Sequence, residues 1–236
     1  MSKAFQFKEF SVEQDCCAMK IGTDGVLLGA WAHEGDAFSI LDIGAGTGVI
    51  SLMLAQKSHA EIIDAIEIDD DAYEQCVENF EASNWGDRLF CYHASLQEFT
   101  EEIEDPYDLI ISNPPFYTDS YQSQDSKRNK ARFEDSLPFE HLLFGVSKLL
   151  SPDGKFAMIA PYKEKDQLCE LANTHGLFLN RSCDVKGTET SEFKRSLLEF
   201  SFTEKEINHK TLTIEIKRHQ YTKEYIALVK DFYLKM

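Results

Sequence analysis

Two short motifs in the 236-residue chain combine residue types that could bind a ligand and carry out chemistry. The first is Asp42-Ile-Gly-Ala-Gly-Thr-Gly48, and the second is Asn113-Pro-Pro-Phe116. Glycines let a backbone approach a ligand closely, whereas prolines fix φ and remove amide donors, which leaves oxygen acceptors facing the site. We therefore expect the first motif to bind a ligand and the second to orient a reacting group.

The glycine motif predicts a turn between a strand and a helix, where a ligand would meet the N-terminus of the helix. A dinucleotide site requires Gly-x-Gly-x-x-Gly, but the glycines here are Gly44, Gly46 and Gly48, and residue 49 is valine. Asp42 would also face an approaching pyrophosphate with a negative charge. Both features disfavour NAD and favour a ligand with an amine and no phosphate. Glu67 ends the next predicted strand, where a carboxylate can accept both hydroxyls of a ribose.

The proline motif predicts a rigid acceptor site for an exocyclic amine on a base. It follows an apolar strand, and ligands of parallel sheets bind beyond the carboxyl ends of the strands. The side-chain oxygen of Asn113 and the carbonyl of Pro114 would accept the two hydrogens of the amine. Pro115 stiffens the turn, and Phe116 would stack on the base. The lone pair of such an amine is delocalised into the ring, which makes the amine a poor nucleophile. The main requirement is therefore to orient the amine for attack.

The elements that position these motifs alternate between strand and helix patterns from residue 38 onward, which predicts a parallel sheet wound by crossover helices. Predicted strands lie near residues 38–43, 61–67, 88–93, 107–112, 154–160, 177–185 and 196–202, the last of them as an antiparallel partner. Predicted helices lie near residues 48–57, 70–83, 138–150 and 164–174. We expect a Rossmann-like, doubly wound α/β fold with a mostly parallel, seven-stranded sheet.

The chain is expected to divide into an N-terminal extension, a main domain and a C-terminal appendage packed on the main domain, at residues 1–37, 38–203 and 204–236. The extension predicts a short strand or hairpin at 5–10 and a leading helix at 24–32, with Thr23 as its N-cap. The appendage predicts a strand at 210–217 and an amphipathic helix at 222–234.

The motif Asp-x-Gly-x-Gly-x-Gly resembles the first motif of the Rossmann-like S-adenosylmethionine-dependent methyltransferases. The resemblance implies that the glycines approach the amino-acid part of S-adenosylmethionine and that Asp42 holds its ammonium group. It also implies that Glu67 binds the ribose. Such enzymes often carry an Asp after the third strand that accepts a hydrogen bond from the adenine amine, and Ser95 occupies that place here. Thr23, from the leading helix, is a further cofactor-binding candidate.

Asn-Pro-Pro-Phe resembles the motif of the amino-methyltransferases, which include adenine-N6 enzymes, ribosomal RNA guanine-N2 enzymes and a protein-glutamine-N5 enzyme. Other segments narrow the choice, and over nearly the whole chain the sequence resembles the bacterial family that forms N6-methyladenine at position 37 of a valine tRNA. These segments are Phe5-Gln-Phe-Lys-Glu-Phe10, Met19-Lys-Ile-Gly-Thr-Asp-Gly-Val-Leu-Leu-Gly-Ala-Trp31, Lys130-Ala-Arg132 before Leu137-Pro-Phe-Glu-His-Leu-Leu143, and Tyr221-Thr-Lys-Glu-Tyr-Ile-Ala-Leu-Val-Lys-Asp-Phe-Tyr233. The guanine-N2 and glutamine-N5 activities remain alternatives, as does a non-catalytic cofactor-binding module that docks RNA or protein.

The resemblance implies tRNA as the partner, and the densest basic cluster of the chain is a candidate for contacts with its phosphates. The cluster consists of Lys127, Arg128, Lys130 and Arg132. It lies in a polar insertion at 117–136, and a solvated charged loop is the alternative interpretation. The net charge of −17 opposes general affinity for a polyanion, but residues 186–236 hold ten Lys or Arg against eight Asp or Glu.

Composition and cysteine usage limit the protein's class. Hydrophobic residues make up 43% of the chain, which is typical of a globular protein, and neither a signal peptide nor a stretch of transmembrane length is evident. The six cysteines form no Cys-x-x-Cys pair, and the seven histidines form no His-x-x-x-His pair. We expect a cytoplasmic enzyme with reduced thiols, no metal, no membrane partner and a monomeric state.

Overall fold

The computed structural model describes residues 4–17, 20–32, 35–115 and 137–236. Among these residues, nine strands form one sheet, and a separate two-stranded hairpin lies at the N-terminus. The hairpin strands are β1 (Phe5–Gln6) and β2 (Ser11–Val12). The sheet strands are β3 (Ser39–Ile43), β4 (Ile62–Glu67), β5 (Leu89–His93), β6 (Tyr107–Ser112), β7 (Leu150–Pro161), β8 (Phe178–Thr188), β9 (Phe193–Ser201), β10 (Asn208–Lys217) and β11 (Gln220–Tyr221). The predicted Rossmann-like α/β class is confirmed.

The strand order across the sheet is β11-β10-β8-β9-β7-β6-β3-β4-β5. Most neighbours are parallel, and β9 is the predicted antiparallel strand, paired with both β7 and β8. The sheet has two strands more than the seven that were predicted. The reason is that β10, the appendage strand, pairs in parallel with β8, and β11 then pairs with β10 as a hairpin.

The helices that cover the sheet are α1 (Thr23–Trp31), α2 (Val49–Lys57), α3 (Asp70–Glu81), α4 (Leu96–Glu102), α5 (Phe139–Leu149), α6 (Lys165–Thr174) and α7 (Lys223–Val229). A 3₁₀ turn, Tyr162–Glu164, precedes α6. Helix α4 was not predicted, because its seven residues show too few apolar repeats to identify a helix. Within the described residues, no helix is long and apolar enough to cross a membrane.

Alternation along the strands builds one apolar cluster on each face of the sheet. On β3, Ile40 belongs to one cluster and Leu41 to the other, because successive strand residues point to opposite faces. The first cluster contains residues of α1, α2 and α7 and of the N-terminal hairpin, and the second contains residues of α4, α5 and α6. Phe156 and Phe200 are among the largest side chains that are fully buried.

The two chain ends pack against each other. Phe7 forms an isolated antiparallel bridge with Tyr233, and the Lys8 amide donates to the Phe232 carbonyl at 2.8 Å. Helix α7 ends at Val229, before the predicted end at 234, and the residues that follow it make these contacts with the N-terminal hairpin.

Candidate active site

The sheet brings the two motifs to one edge. Ile43, the last residue of β3, pairs with Ile66 of β4 on one side and with Ser112 of β6 on the other. All three strands are parallel, so the residues that follow them emerge together at the carboxyl edge of the sheet. The Ser112 hydroxyl donates to the Ile43 carbonyl at 2.9 Å and holds the ends of β3 and β6 together. The glycine turn and Asn113 are therefore neighbours.

The glycine turn has a backbone that only glycine adopts readily. Gly44, Gly46 and Gly48 have φ values of 73°, 55° and 75°, in the left-handed region. Among the described residues, a Cβ at Gly44 or Gly46 would meet nothing within 4 Å, whereas at Gly48 it would lie 2.5 Å from the Phe80 ring. The first two glycines thus face open space that a ligand can fill, and the third packs against α3.

Glu67 holds the glycine turn in place. One carboxylate oxygen accepts the Gly46 amide at 2.8 Å, and the other accepts the amides of Ile68 and Asp69 at 2.8 and 3.0 Å. The side chain is partly exposed at the end of β4. Its contact with the hydroxyls of a ribose stays a prediction.

Asp42 lies beneath the glycine turn and not on its surface. Its side chain is fully buried, and Oδ2 accepts the Ser51 hydroxyl at 2.8 Å. Burial raises the pKa of Asp42 to about 7, although the bond from Ser51 favours the charged form. Oδ1 has no hydrogen-bond partner within the described part of the chain. The site therefore contains a buried carboxylate with an unused acceptor.

Asn113 and Pro114 continue β6 into the same edge. Asn113 is partly buried, Pro114 is buried and Pro115 is exposed. Helix α1 packs closely here, since a Cβ at Gly25 would lie 3.8 Å from Asn113 Nδ2. The amide side chain is thus confined between the strand end and the first turn of α1.

Several predicted site residues lie outside the residues that the structure describes. They are Phe116 and the four residues of the basic cluster, Lys127, Arg128, Lys130 and Arg132. Their roles remain predictions.

Ser95 is engaged in a capping box, a role that the sequence analysis did not assign to it. It is the N-cap of α4, where its hydroxyl accepts the Glu98 amide at 3.2 Å and donates to the Glu98 carboxylate at 2.7 Å. Contact with a cofactor would have to share this hydroxyl. The Glu98 carboxylate accepts from both the amide and the hydroxyl of Ser95, which lowers the pKa of Glu98.

The prediction that Thr23 is an N-cap was wrong. Gly22 is the N-cap of α1, since its backbone is extended and its carbonyl accepts the Val26 amide, while Thr23 is already the first helical residue. Its side chain is exposed and lines a groove formed with the C-terminal end of the chain. Its predicted contact with the cofactor stays a prediction.

Two supporting contacts were missed by the sequence analysis. Ser51 is the only polar residue in the first six of α2, and such an isolated hydroxyl in a buried helix signals a buried partner, which is Asp42. Asp24 of α1 forms an ion pair of 2.7 Å with Arg195 of β9. No local pattern could have identified that pair, because its members are 171 residues apart.

Comparison with known proteins indicates a methyltransferase family. The family model described as "Methyltransferase small domain" matches residues 21–165. A tRNA1(Val) (adenine(37)-N6)-methyltransferase of Flavobacterium johnsoniae is 61% identical, with 98% of this chain and 100% of the relative covered. The protein of the same name from Bacteroides fragilis is 45% identical, with 98% of each chain covered.

Solved structures support the fold. A protein described as a predicted O-methyltransferase from Agrobacterium tumefaciens superimposes with a TM-score of 0.69 at 16% identity, covering 89% of this chain and 96% of its own. A methyltransferase from Pyrococcus furiosus gives a TM-score of 0.53 at 25% identity, covering 75% and 81%.

The family model and the matching folds define a Rossmann-like methyltransferase. The matches along the full length are more specific than the fold. The chain belongs to the family of tRNA1(Val) (adenine(37)-N6)-methyltransferases.

Proposed function

We propose that this protein transfers a methyl group from S-adenosylmethionine to the N6 amine of adenine 37 in a valine tRNA. The names of its relatives support the substrate. The observation that carries the proposal is the pairing of Ile43 with Ser112, because it sets Asn113 beside the open glycine turn at one sheet edge. This adjacency is what a transfer between two bound molecules requires.

The residues of the glycine turn fit S-adenosylmethionine. Gly44 and Gly46 leave open space for its amino-acid part, and the Glu67 carboxylate would accept its ribose hydroxyls. The buried Asp42, with an unused oxygen, would attract its positive charge through the thin glycine turn. When bound, this cofactor supplies a methyl group on an electrophilic sulfonium.

Asn113 and Pro114 would orient the acceptor. The Asn113 side-chain oxygen and the Pro114 carbonyl accept the two hydrogens of the adenine amine, which points its nitrogen at the cofactor site and increases its electron density. Neither group needs to act as a strong base. Confinement of Asn113 by α1 fixes this geometry before the RNA arrives. Phe116 would stack on the base once it is flipped out.

Substrate recognition beyond the base would involve the basic cluster. Lys127, Arg128, Lys130 and Arg132 follow the acceptor motif in sequence and would bind phosphates of the anticodon loop. Replacing all four by neutral residues should weaken tRNA binding and reduce its salt dependence. Unchanged affinity and salt dependence would show that the cluster does not contact the tRNA.

We further propose that the three segments 1–37, 38–203 and 204–236 act as one unit, a monomer working in the cytoplasm where its tRNA substrate is found. The pairing of β10 with β8 and of Phe7 with Tyr233 supports the single unit. Within the described residues, no group of three or more His, Cys, Asp or Glu is arranged to hold a metal ion.

The decisive experiment measures modified nucleosides. Valine tRNA is purified from cells that lack the gene, digested and analysed by mass spectrometry, before and after treatment with the purified protein and S-adenosylmethionine. We expect N6-methyladenine to be missing before treatment and restored after it, with Asn113→Ala as the inactive control. A valine tRNA that keeps its N6-methyladenine in these cells would refute the proposal.

A further inference from the structure

A groove opens near the candidate active site, between the N-terminal hairpin, the start of α1 and the C-terminal strands and helix. Its volume is about 650 Å³. The lining residues that matter for its chemistry are Phe5, Thr23, Glu215, Tyr221, Tyr225 and Tyr233. Of the candidate site residues that the structure describes, Thr23 alone also lines this groove.

The groove lies at the same edge of the sheet as Asn113. Strand β10 is parallel to β8, and Glu215 pairs with Thr188, the last residue of β8, so both strands end at the carboxyl edge. The first turn of α1 separates the groove from the acceptor site. Thr23 lines the groove, and Gly25, two residues on, packs beside the Asn113 amide.

Four of the twelve residues that line the groove are aromatic. The rings of Tyr221 and Tyr225 lie 5.3 Å apart, and those of Phe5 and Tyr233 lie 6.2 Å apart. Tyr225 is buried, while the other three are partly exposed and keep ring surface open. Aromatic surface next to hydroxyl and carboxylate groups matches a nucleobase, which has a π face and polar edges.

The C-terminal segment that contributes to the groove is basic, although the carboxylate of Glu215 also lines the groove. Residues 217–235 hold five Lys or Arg against two Asp or Glu, in a chain whose net charge is −17. Lys217, the last residue of β10, and Arg218, in the turn before β11, are exposed, and His219 in the same turn has a φ of 63°. Lys235 lines the groove itself. This charge complements a nucleic-acid backbone.

We propose that this aromatic groove binds an unstacked base of the RNA substrate, next to the base that is methylated, while the basic turn at 217–219 contacts the RNA backbone. The inference rests on the proposed function, since it takes the RNA as the occupant. Continuity with the acceptor site, the ring surfaces and the basic C-terminal segment together favour RNA over a peptide. The C-terminal segment would thus be a specificity element and not only a structural appendage.

The test compares Tyr221→Ala and Tyr221→Phe with the unmodified protein, using valine tRNA as the probe. Binding is measured directly by fluorescence anisotropy, and methyl transfer is measured separately. Base stacking on an aromatic residue contributes about 1–3 kcal/mol, so Tyr221→Ala should weaken tRNA binding about tenfold. The KM for tRNA should rise in proportion while kcat changes little, and Tyr221→Phe should behave like the unmodified protein.

Phe90→Ala is the matched control, because Phe90 is a ring with 43% exposure on β5, at the opposite end of the sheet. It should leave tRNA affinity unchanged. Arg218→Gln covers the case in which Tyr221→Ala does not fold, since Arg218 is exposed; it should reduce the slope of log Kd against log salt by about 1.

The outcomes separate this inference from the proposed function. If tRNA binds a folded Tyr221→Ala as tightly as the unmodified protein, or if Arg218→Gln leaves the salt slope unchanged, the groove does not bind RNA. If the unmodified protein binds valine tRNA but does not methylate it, the proposed function fails while the groove can still be assigned. Absence of tRNA binding by the unmodified protein would overturn both.

Discussion

The two halves of the sheet differ sharply in charge. The cofactor half, residues 39–102 with strands β3 to β5, holds fourteen Asp or Glu against two Lys or Arg. The C-terminal half, residues 150–236 with strands β7 to β11, holds thirteen Asp or Glu against fourteen Lys or Arg. Net charge alone argues against an RNA-binding protein, but the acidity is concentrated in the half that would bind a cationic cofactor.

The halves also differ in how their candidate sites are built. In the cofactor half, polar side chains are already bonded to the turn that they support, as Glu67 is to Gly46 and Ser51 is to Asp42. In the C-terminal half, the groove presents partly exposed rings. A rigid site suits a small ligand of fixed shape, whereas a base that has left the stack of its neighbours needs an exposed ring on which it can stack. Asn113 lies between the two.

The largest effect should come from Asn113→Ala, at the junction of the halves. Loss of the acceptor oxygen should lower kcat about 100-fold or more, because groups that orient and polarise the reacting atoms have effects of that size. Cofactor and tRNA affinities should remain within a few fold, as measured by calorimetry and anisotropy. Normal turnover in this variant would contradict the assigned role, and loss of cofactor binding would show that Asn113 binds the cofactor.

Gly48→Ala should destabilise the cofactor half. The substitution forces alanine into a φ of 75° and places its Cβ 2.5 Å from the Phe80 ring, which together cost about 3 kcal/mol of unfolding free energy. Urea denaturation measures the change. Gly187→Ala is the control in the C-terminal half, because a Cβ there would meet only Ser191 at 3.8 Å. Equal stabilities of the two variants would show that the glycine turn is less rigid than its packing indicates.

The pH dependence of the free energy of unfolding should reveal the titration of Asp42. Its pKa is raised by burial from 3.8 to about 7, so the folded state retains a proton that the unfolded state loses. Its contribution to the free energy of unfolding is therefore fully present below pH 4 and falls as the pH rises to 7. Asp42→Asn should remove a decrease on the order of 3 kcal/mol over that interval. Parallel pH profiles of the variant and the unmodified protein would show that Asp42 titrates normally.

The smallest of these effects should come from Glu67→Gln. The amide keeps one acceptor oxygen but loses the charge that holds three backbone amides and would bind the ribose, so cofactor affinity should fall about tenfold. Calorimetry with S-adenosylmethionine measures it, with the exposed Glu81→Gln as the control. The tRNA affinity should not change, and a decrease in it would mean that the two halves are coupled.

The central fold was predictable from the sequence because its signals are local. The apolar strands recur at spacings typical of a parallel sheet, and each is followed by a recognisable residue type: a glycine turn, an acidic residue or Asn-Pro-Pro. The observed β3, β4 and β6 end within a residue of the predicted positions. Helix α4 was missed although the Ser95-x-x-Glu98 capping box is a local signal, because the helix has seven residues and buries only Leu96 and Phe99, too few for apolar periodicity. The N-cap of α1 was misplaced by one residue because capping depends on backbone angles.

By itself the sequence determined the candidate cofactor motif, the acceptor motif and the order along the chain of the strands that precede them, because each depends on neighbouring residues. Tertiary structure alone decided that Asp42 lies beneath the glycine turn, that β10 joins the sheet and that Phe5, Tyr221 and Tyr233 share a groove near Asn113. These depend on contacts between residues far apart in the chain. Such contacts form only when the packed core fixes which surfaces meet.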